Sequence, residues 1–270
     1  MIRDLSSDAQ KTFVFDLDGV VYVDRTGVPG AGQTLAALDG AGHQVLFATN
    51  NSSRAVDTVI ENIRIRTGYR THADSVITSG LAAADLLRDD GEACFVLGSE
   101  ELEETLAAAG IEVTSDHDRA TTVVVGLDRS LTYQRLTSAV LAVRCGARFV
   151  ATSADPTYPT PEGQYPGTGA IVAAVERSTG VHPVLCGKPS APMQELIEQR
   201  IEHPTVWMVG DRAETDLALA DRAGWGKILV LTGVTDHDNG PAGSVNPDYT
   251  IGSIVDLEGL MSTRKGEARG

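Results

Sequence analysis

The segment Phe15-Asp16-Leu17-Asp18-Gly19-Val20 places two carboxylates two residues apart at the end of an apolar run. Side chains alternate along an extended strand, so Asp16 and Asp18 would point the same way and Leu17 the other. Carboxylates held side by side repel unless a cation intervenes, which gives the pair separable roles: one stays ionised as a nucleophile and the other carries a proton. Attack by Asp16 on phosphorus would form an aspartyl phosphate. Asp18 would protonate the departing alkoxide and then deprotonate the water that hydrolyses the intermediate. Gly19 lets the chain turn sharply after the strand. An acidic turn that merely ends a strand or caps a helix is the plainer alternative, so the other clusters have to decide.

Three further clusters supply what such chemistry needs. Ala48-Thr49-Asn50-Asn51-Ser52-Ser53-Arg54 offers a hydroxyl, two amides and several backbone N–H groups beyond a second apolar run. Thr49, Asn50 and Asn51 could hold phosphate oxygens without adding negative charge, although a helix N-cap at Ser52 or Ser53 explains part of the pattern. Cys186-Gly187-Lys188-Pro189 sets one lysine between two residues that restrict or bend the backbone. A point charge at Lys188 could neutralise both the nucleophile and the phosphoryl group; an ordinary surface lysine is the alternative. Finally, VGDRAETD (209–216) brings Asp211 to the end of the apolar run VWMV, with Asp216 five residues on. Mg²⁺ prefers oxygen ligands and commonly uses one or two carboxylates together with substrate phosphate. Asp16 and Asp211 suit direct ligation, with the main-chain carbonyl of Asp18 as a third ligand. Asp216 and Glu214 would hold waters or Lys188 from outside.

These clusters need a scaffold that presents strand ends to one place. Short β-branched runs alternate with Ala-rich amphipathic segments throughout, the pattern of parallel strands joined by crossover helices. The expected fold is α/β, a doubly wound parallel sheet with strands near 12–17, 44–49, 205–209 and 228–231. In such sheets ligands bind beyond the carboxyl ends of the strands. A second series of strand and helix signals runs through ACFVLG, SEELEETLAAAG, TTVVVG, LTYQRLTSAVLAVRCGA, RFVATS and GAIVAAVERSTG. The clusters lie on both sides of it, so it reads as an insertion: a core of 1–80 and 185–270 and an inserted domain of 81–184.

Composition narrows the partners. With 22 Lys and Arg against 37 Asp and Glu, the formal charge of the 270 residues is −15. That disfavours a broad grip on nucleic acid or an anionic membrane. An anionic substrate would need local cations, such as a metal and Lys188. Cys94, Cys145 and Cys186 are odd in number and widely spaced, which suggests neither disulfides nor zinc. The opening residues lack the apolar core of a signal peptide and no stretch reaches a membrane span, so the expectation is a soluble cytoplasmic protein. The six histidines, His43, His72, His117, His182, His203 and His237, show no ligand spacing. The stretch Asp236-His237-Asp238-Asn239 reads as a solvated loop, and the tail from Ser262 as frayed.

In order, the four clusters resemble the pattern of the haloacid dehalogenase-like phosphatase superfamily. The closer resemblance is to its branch of nitrophenylphosphatases and NagD-type enzymes. It rests on DLDGVVY (16–22), TNNSSR (49–54), DPTYPTPEGQYPGTGAI (155–171), GKP (187–189), GDRAETD (210–216) and VLTGV (230–234), and spans about residues 12–255. It implies that the insertion is an α/β cap, that Asp16, Asp18, Thr49 and Lys188 are catalytic, and that Mg²⁺ is the cofactor. Related caps often pair, so a homodimer is the expected assembly. Thr168 and Ser153-Ala154 depart from the commoner cap pattern and bear on substrate choice. Tyr158 and Tyr165 could line a pocket or simply pack.

A phosphorylated signalling module would also combine strand-end acids, a metal, a hydroxyl and a lysine. Asp18 and the large insertion exceed what it needs. A dehalogenase would not require Asp18 or Asp211, and a binding protein would not need the full set. The expected substrate is a small phosphorylated metabolite, glycerol 3-phosphate or a similar aliphatic ester first. Phosphoglycolate, nucleotides, pyridoxal phosphate and sugar phosphates are the alternatives.

Overall fold

The computed structural model describes residues 5, 7, 9–88, 91, 93–160, 162–233 and 245–262. Asp236-His237-Asp238-Asn239, Val234 and the tail beyond Ser262 lie outside these. The described chain divides into two compact units. One comprises Met1–Ala48, Val59–Val76 and Ile197–Gly270; the other comprises Thr49–Thr58 and Ile77–Leu196.

The first unit is built on a six-stranded sheet whose order is Tyr249–Ile251, Gly226–Val230, Val206–Gly210, Thr12–Phe15, Gln44–Thr49, Val76–Thr78. Each strand pair from Tyr249–Ile251 across to Gln44–Thr49 is parallel. Nearly every residue of the central strands is buried, so they read as continuous apolar runs rather than alternating ones. Phe13, Phe15, Phe47 and Trp207 are fully buried, with Phe13 stacked on Phe15 at 6.1 Å between centroids. From the first strand the chain builds outward to one side through Gln44–Thr49 and later to the other through Val206–Gly210. The winding therefore reverses beside Thr12–Phe15, where an open α/β sheet leaves a crevice at the strand ends.

The first strand ends at Phe15, two residues earlier than the alternation of TFVFDL suggests. The Leu17 carbonyl accepts hydrogen bonds from the N–H groups of Val20, Val21 and Tyr22, and Gly19 N–H donates to the Tyr22 carbonyl at 2.8 Å. Asp18 thus sits in a tight turn, with Gly19 at a φ of +89°.

The second unit carries a five-stranded sheet in the order Val184–Leu185, Arg148–Ala151, Thr122–Val125, Ala93–Leu97, Glu112–Val113, with parallel pairs throughout. Its core joins Phe95, Val123, Phe149 and Ala151 to Ala142 and Val143 of the helix Tyr133–Arg144 and to Val172 and Val175 of the helix Thr168–Thr179. The first of these helices is capped by Thr132, whose hydroxyl accepts from Arg135 N–H at 3.2 Å. An antiparallel hairpin pairs Thr157–Thr160 with Gly163–Pro166 in this unit.

The loop 49–58 and the stretch 185–196 belong to this second unit, whereas the sequence boundaries place both in the core. Side-chain bonds inside the unit account for the loop. Ser52 and Thr152 share a hydrogen bond of 2.9 Å between hydroxyls, and Ser79 Oγ donates to the Asn50 carbonyl at 2.7 Å. Among the described residues no helix is long and apolar enough to cross a membrane. None of the three cysteines is in a disulfide; Cys94 and Cys186 are buried and Cys145 is exposed. Burial pushes the Cys186 thiol up to about 12, which keeps it protonated and unreactive at neutral pH.

Candidate active site

In the first unit, one carboxylate oxygen from each of Asp16, Asp211 and Asp216 lies within 4.8 Å of the others, and all three residues are buried. Strand geometry explains two of them. Phe15 is level with Val209, and Asp16 N–H continues the ladder by donating to the Val209 carbonyl at 2.9 Å. Asp16 and Asp211 therefore leave neighbouring strands side by side.

Asp216 arrives by a different route. The segment Ala213–Leu217 is a wide π-helical turn, in which the Arg212 carbonyl accepts from Asp216 N–H at 3.0 Å and, five residues on, from Leu217 N–H at 3.3 Å. The same turn folds the Asp216 side chain back so that Oδ2 accepts from Arg212 N–H at 3.1 Å. A turn closed over five residues suits a partner five residues away, which places Asp216 against Asp211. Glu214 is exposed, and its carboxylate is not one of the three. Asp18 is also exposed, and its carboxylate does not join the three.

Glycines cradle the acids. A Cβ on Gly233 would fall 1.9 Å from Asp211 Oδ2, one on Gly19 would fall 2.5 Å from the same oxygen, and one on Gly210 would fall 2.3 Å from Asp216 Oδ2. Thr232 Oγ1 donates to the Gly19 carbonyl at 2.6 Å and ties the turn to the following strand end. Three buried acids this close, in an oxygen-only set, fit a hard divalent cation such as Mg²⁺. Their mutual repulsion would otherwise oppose the packing.

The second unit holds Thr49, Asn50, Asn51 and Lys188. Lys188 is 2% exposed. The Thr49 hydroxyl accepts from Asn51 N–H at 3.1 Å, and a hydroxyl that accepts in this way can still donate its own proton. Asn51 Oδ1 accepts from Ser53 N–H at 2.9 Å and from Ser53 Oγ at 2.8 Å, closing a local turn. The Asn50 side-chain amide engages the Lys188 backbone and Asp155. On the hairpin, Tyr158 and Tyr165 meet edge to face at 6.0 Å. The Arg129 guanidinium lies 5.4 Å from the Tyr158 ring centre.

A family model described as "Haloacid dehalogenase-like hydrolase" matches residues 13–112, and a second model of HAD-like type matches 185–257. The acid sugar phosphatase of Staphylococcus saprophyticus is 36% identical over 253 residues, covering 92% of this chain and 96% of that protein. The chain belongs to the haloacid dehalogenase-like hydrolase family.

Within that family it is a phosphomonoesterase of NagD-like type. The 4-nitrophenylphosphatase of Thermotoga maritima superposes with a TM-score of 0.87 at 34% identity, over 94% of this chain and 98% of that one. The glycerol phosphate phosphatase of Mycobacterium tuberculosis in complex with magnesium gives a TM-score of 0.82 at 32% identity, over 95% of this chain and 78% of that one. The sequence places Asp216 outside the ligands, holding waters or Lys188; the structure brings its carboxylate within 4.8 Å of those of Asp16 and Asp211. The roles of Thr232 and Gly233 were missed. Their signal was the motif VLTGV (230–234), which enters the sequence reading as part of the resemblance with no role given to either residue.

Proposed function

We propose that this phosphatase hydrolyses a small phosphorylated metabolite through an aspartyl phosphate on Asp16, with Mg²⁺ held by Asp16, Asp211 and Asp216. The convergence of these three buried carboxylates carries the reading. When bound, the ion would offset the charge of the acids and of the phosphoryl oxygens. The Asp18 carbonyl is assigned as a further ligand.

In the first half-reaction an Asp16 oxygen bonds to phosphorus as the ester P–O bond breaks, and Asp18 delivers a proton to the departing alkoxide. In the second, Asp18 takes a proton from water, the water oxygen bonds to phosphorus, and Asp16 is released with inorganic phosphate. Asp18 is the exposed residue of the otherwise buried turn from Leu17 to Tyr22, which suits it to this traffic, since a group that exchanges protons with substrate and water must be reachable. Thr49, Asn51, Gly19 and Lys188 are assigned to the phosphate by residue type and motif. Thr49 donates its hydroxyl proton, and Lys188 supplies positive charge.

Residues 81–184 are assigned as a cap that selects the substrate, the enzyme as a homodimer, and its location as the cytoplasm. Glycerol 3-phosphate heads the substrates, by likeness to the relative named for glycerol phosphate. A screen of phosphate release tests this, with glycerol 3-phosphate, phosphoglycolate, sugar phosphates, nucleotides and pyridoxal phosphate in the panel and Asp16→Asn as the blank. Glycerol 3-phosphate should give the highest kcat/KM. Equal turnover by Asp16→Asn would refute the nucleophile.

A further inference from the structure

We infer that Asn50 is a positioning residue for Lys188, braced in turn by Asp155 and Ser153. The inference rests on the reading that Lys188 serves the phosphoryl group. Lys188 N–H donates to Asn50 Oδ1 at 2.6 Å, and Asn50 Nδ2 donates to the Lys188 carbonyl at 3.2 Å. A single side chain thus holds both backbone polar groups of the lysine.

That clasp fixes the peptides on both sides of the Lys188 Cα, and with them the direction in which the side chain departs. A buried lysine has four rotatable bonds to order. Anchoring its root restricts where the ammonium can go before any bond to the ammonium is counted. Asparagine is the residue type for the task. Aspartate lacks the donor, and glutamine would set the amide one methylene further out. The orientation of the amide follows from its partners, because an N–H must face its oxygen and a carbonyl its nitrogen.

The clasp is itself held. Asn50 Nδ2 also donates to Asp155 Oδ2 at 3.1 Å, and Ser153 Oγ donates to the same oxygen at 2.7 Å. Asp155 N–H closes the loop onto Ser153 Oγ at 3.0 Å. Gly187 leaves the necessary room, since a Cβ there would lie 2.7 Å from Asn50 Oδ1 and 2.4 Å from the Thr152 carbonyl oxygen.

A double-mutant cycle on the full chain tests the inference, with nitrophenyl phosphate as substrate and Mg²⁺ present. Asn50→Ala should lower kcat at least about 30-fold with KM within about threefold, while melting as a folded protein. In a Lys188→Ala background the same change should cost less than about threefold, because Asn50 acts through the lysine. Asp155→Asn should stay within about threefold of the parent, since its amide oxygen can accept both hydrogen bonds, whereas Asp155→Ala should lose about tenfold.

Dinitrophenylation followed by peptide mass spectrometry gives a readout independent of turnover. Without substrate, Lys188 should react at least about tenfold faster in Asn50→Ala than in the parent, with Lys227 unchanged. Losses from Asn50→Ala and Lys188→Ala that simply multiply, or an unchanged Lys188 labelling rate, would overturn the inference. Asp155→Asn as damaging as Asp155→Ala would remove Asp155 from it. If Asp16→Asn is inactive while Asn50→Ala behaves like the parent, the inference fails and the proposed function stands. Full activity in Asp16→Asn or Lys188→Ala would sink the proposed function itself.

Discussion

The two compact units solve opposite electrostatic problems. The first gathers three buried carboxylates at the ends of Thr12–Phe15 and Val206–Gly210 and surrounds them with glycines, so close approach is secured by the absence of side chains. The second buries one lysine at the end of a two-residue strand and secures it by the presence of a side chain, the Asn50 amide that grips its backbone. Like charges need room and a counter-ion, whereas a lone flexible cation needs an anchor. The comparison implies that the acidic region depends on metal for its order and the lysine region does not.

Chelation is the severest test. Removing Mg²⁺ should abolish turnover, and adding it back should restore turnover and raise the melting temperature of the parent and of Asn50→Ala alike. Asp211→Asn should lose that thermal response. A magnesium-induced shift that survives in Asp211→Asn but disappears in Asn50→Ala would reverse the assignment of the two regions.

Asp18→Asn should slow esters with poor leaving groups by about 10²- to 10⁴-fold, and nitrophenyl phosphate much less, because a stable phenolate needs little help from an acid. Equal losses on both substrates, measured as kcat, would deny Asp18 its role.

The glycine cradle predicts a smaller loss. Gly233→Ala puts a methyl group where Asp211 Oδ2 now sits and should cost about 10- to 100-fold in kcat/KM, because a misplacement near 1 Å is enough to spoil alignment. Gly40→Ala meets no atom within 4 Å and should leave kinetics alone. Indistinguishable kinetics for these two variants would mean that close packing is not what sets the acids.

The mildest effect belongs to His43, away from both regions. Its Nδ1 accepts the Lys11 N–H at 3.1 Å, and its ring meets Phe13 edge-on at 5.6 Å. Burial, then the charges of Lys11 and His203, hold its imidazole below the usual 6.5. The unfolded chain therefore takes up a proton that the folded chain refuses. His43 contributes fully above about pH 6.5, and that contribution is lost as pH falls towards the depressed folded value. The fall in melting temperature between about pH 7.5 and 5.5 should be roughly 2–4 °C smaller in His43→Gln than in the parent. An identical fall would remove His43 from the acid response.

The strands were legible wherever burial on both faces left an unbroken apolar run. Gln44–Thr49 appears with the ends that QVLFAT suggests, and the alternating elements of the insertion appear in their expected order. The first strand was read too long because a period-two pattern cannot register the three N–H groups that converge on Leu17. Asp16 and Asp211 could be placed from sequence because each directly follows an apolar run. Asp216 could be placed only outside the ligands, since a π-helical turn leaves no mark in a pattern read at 3.6 residues per turn. The clasp of Asn50 on Lys188 was not legible: an amide looks equally suited to a ligand or to a backbone, and only the fold brings Lys188 to it.

The membership of 49–58 in the second unit also matters to anyone building hybrids of these enzymes. Transplanting 77–196 alone from a relative would cut the Ser52–Thr152 and Asn50–Lys188 bonds at the seam and mate each half with a foreign partner. The natural cassette is discontinuous, and a working exchange has to carry the short loop together with the long one.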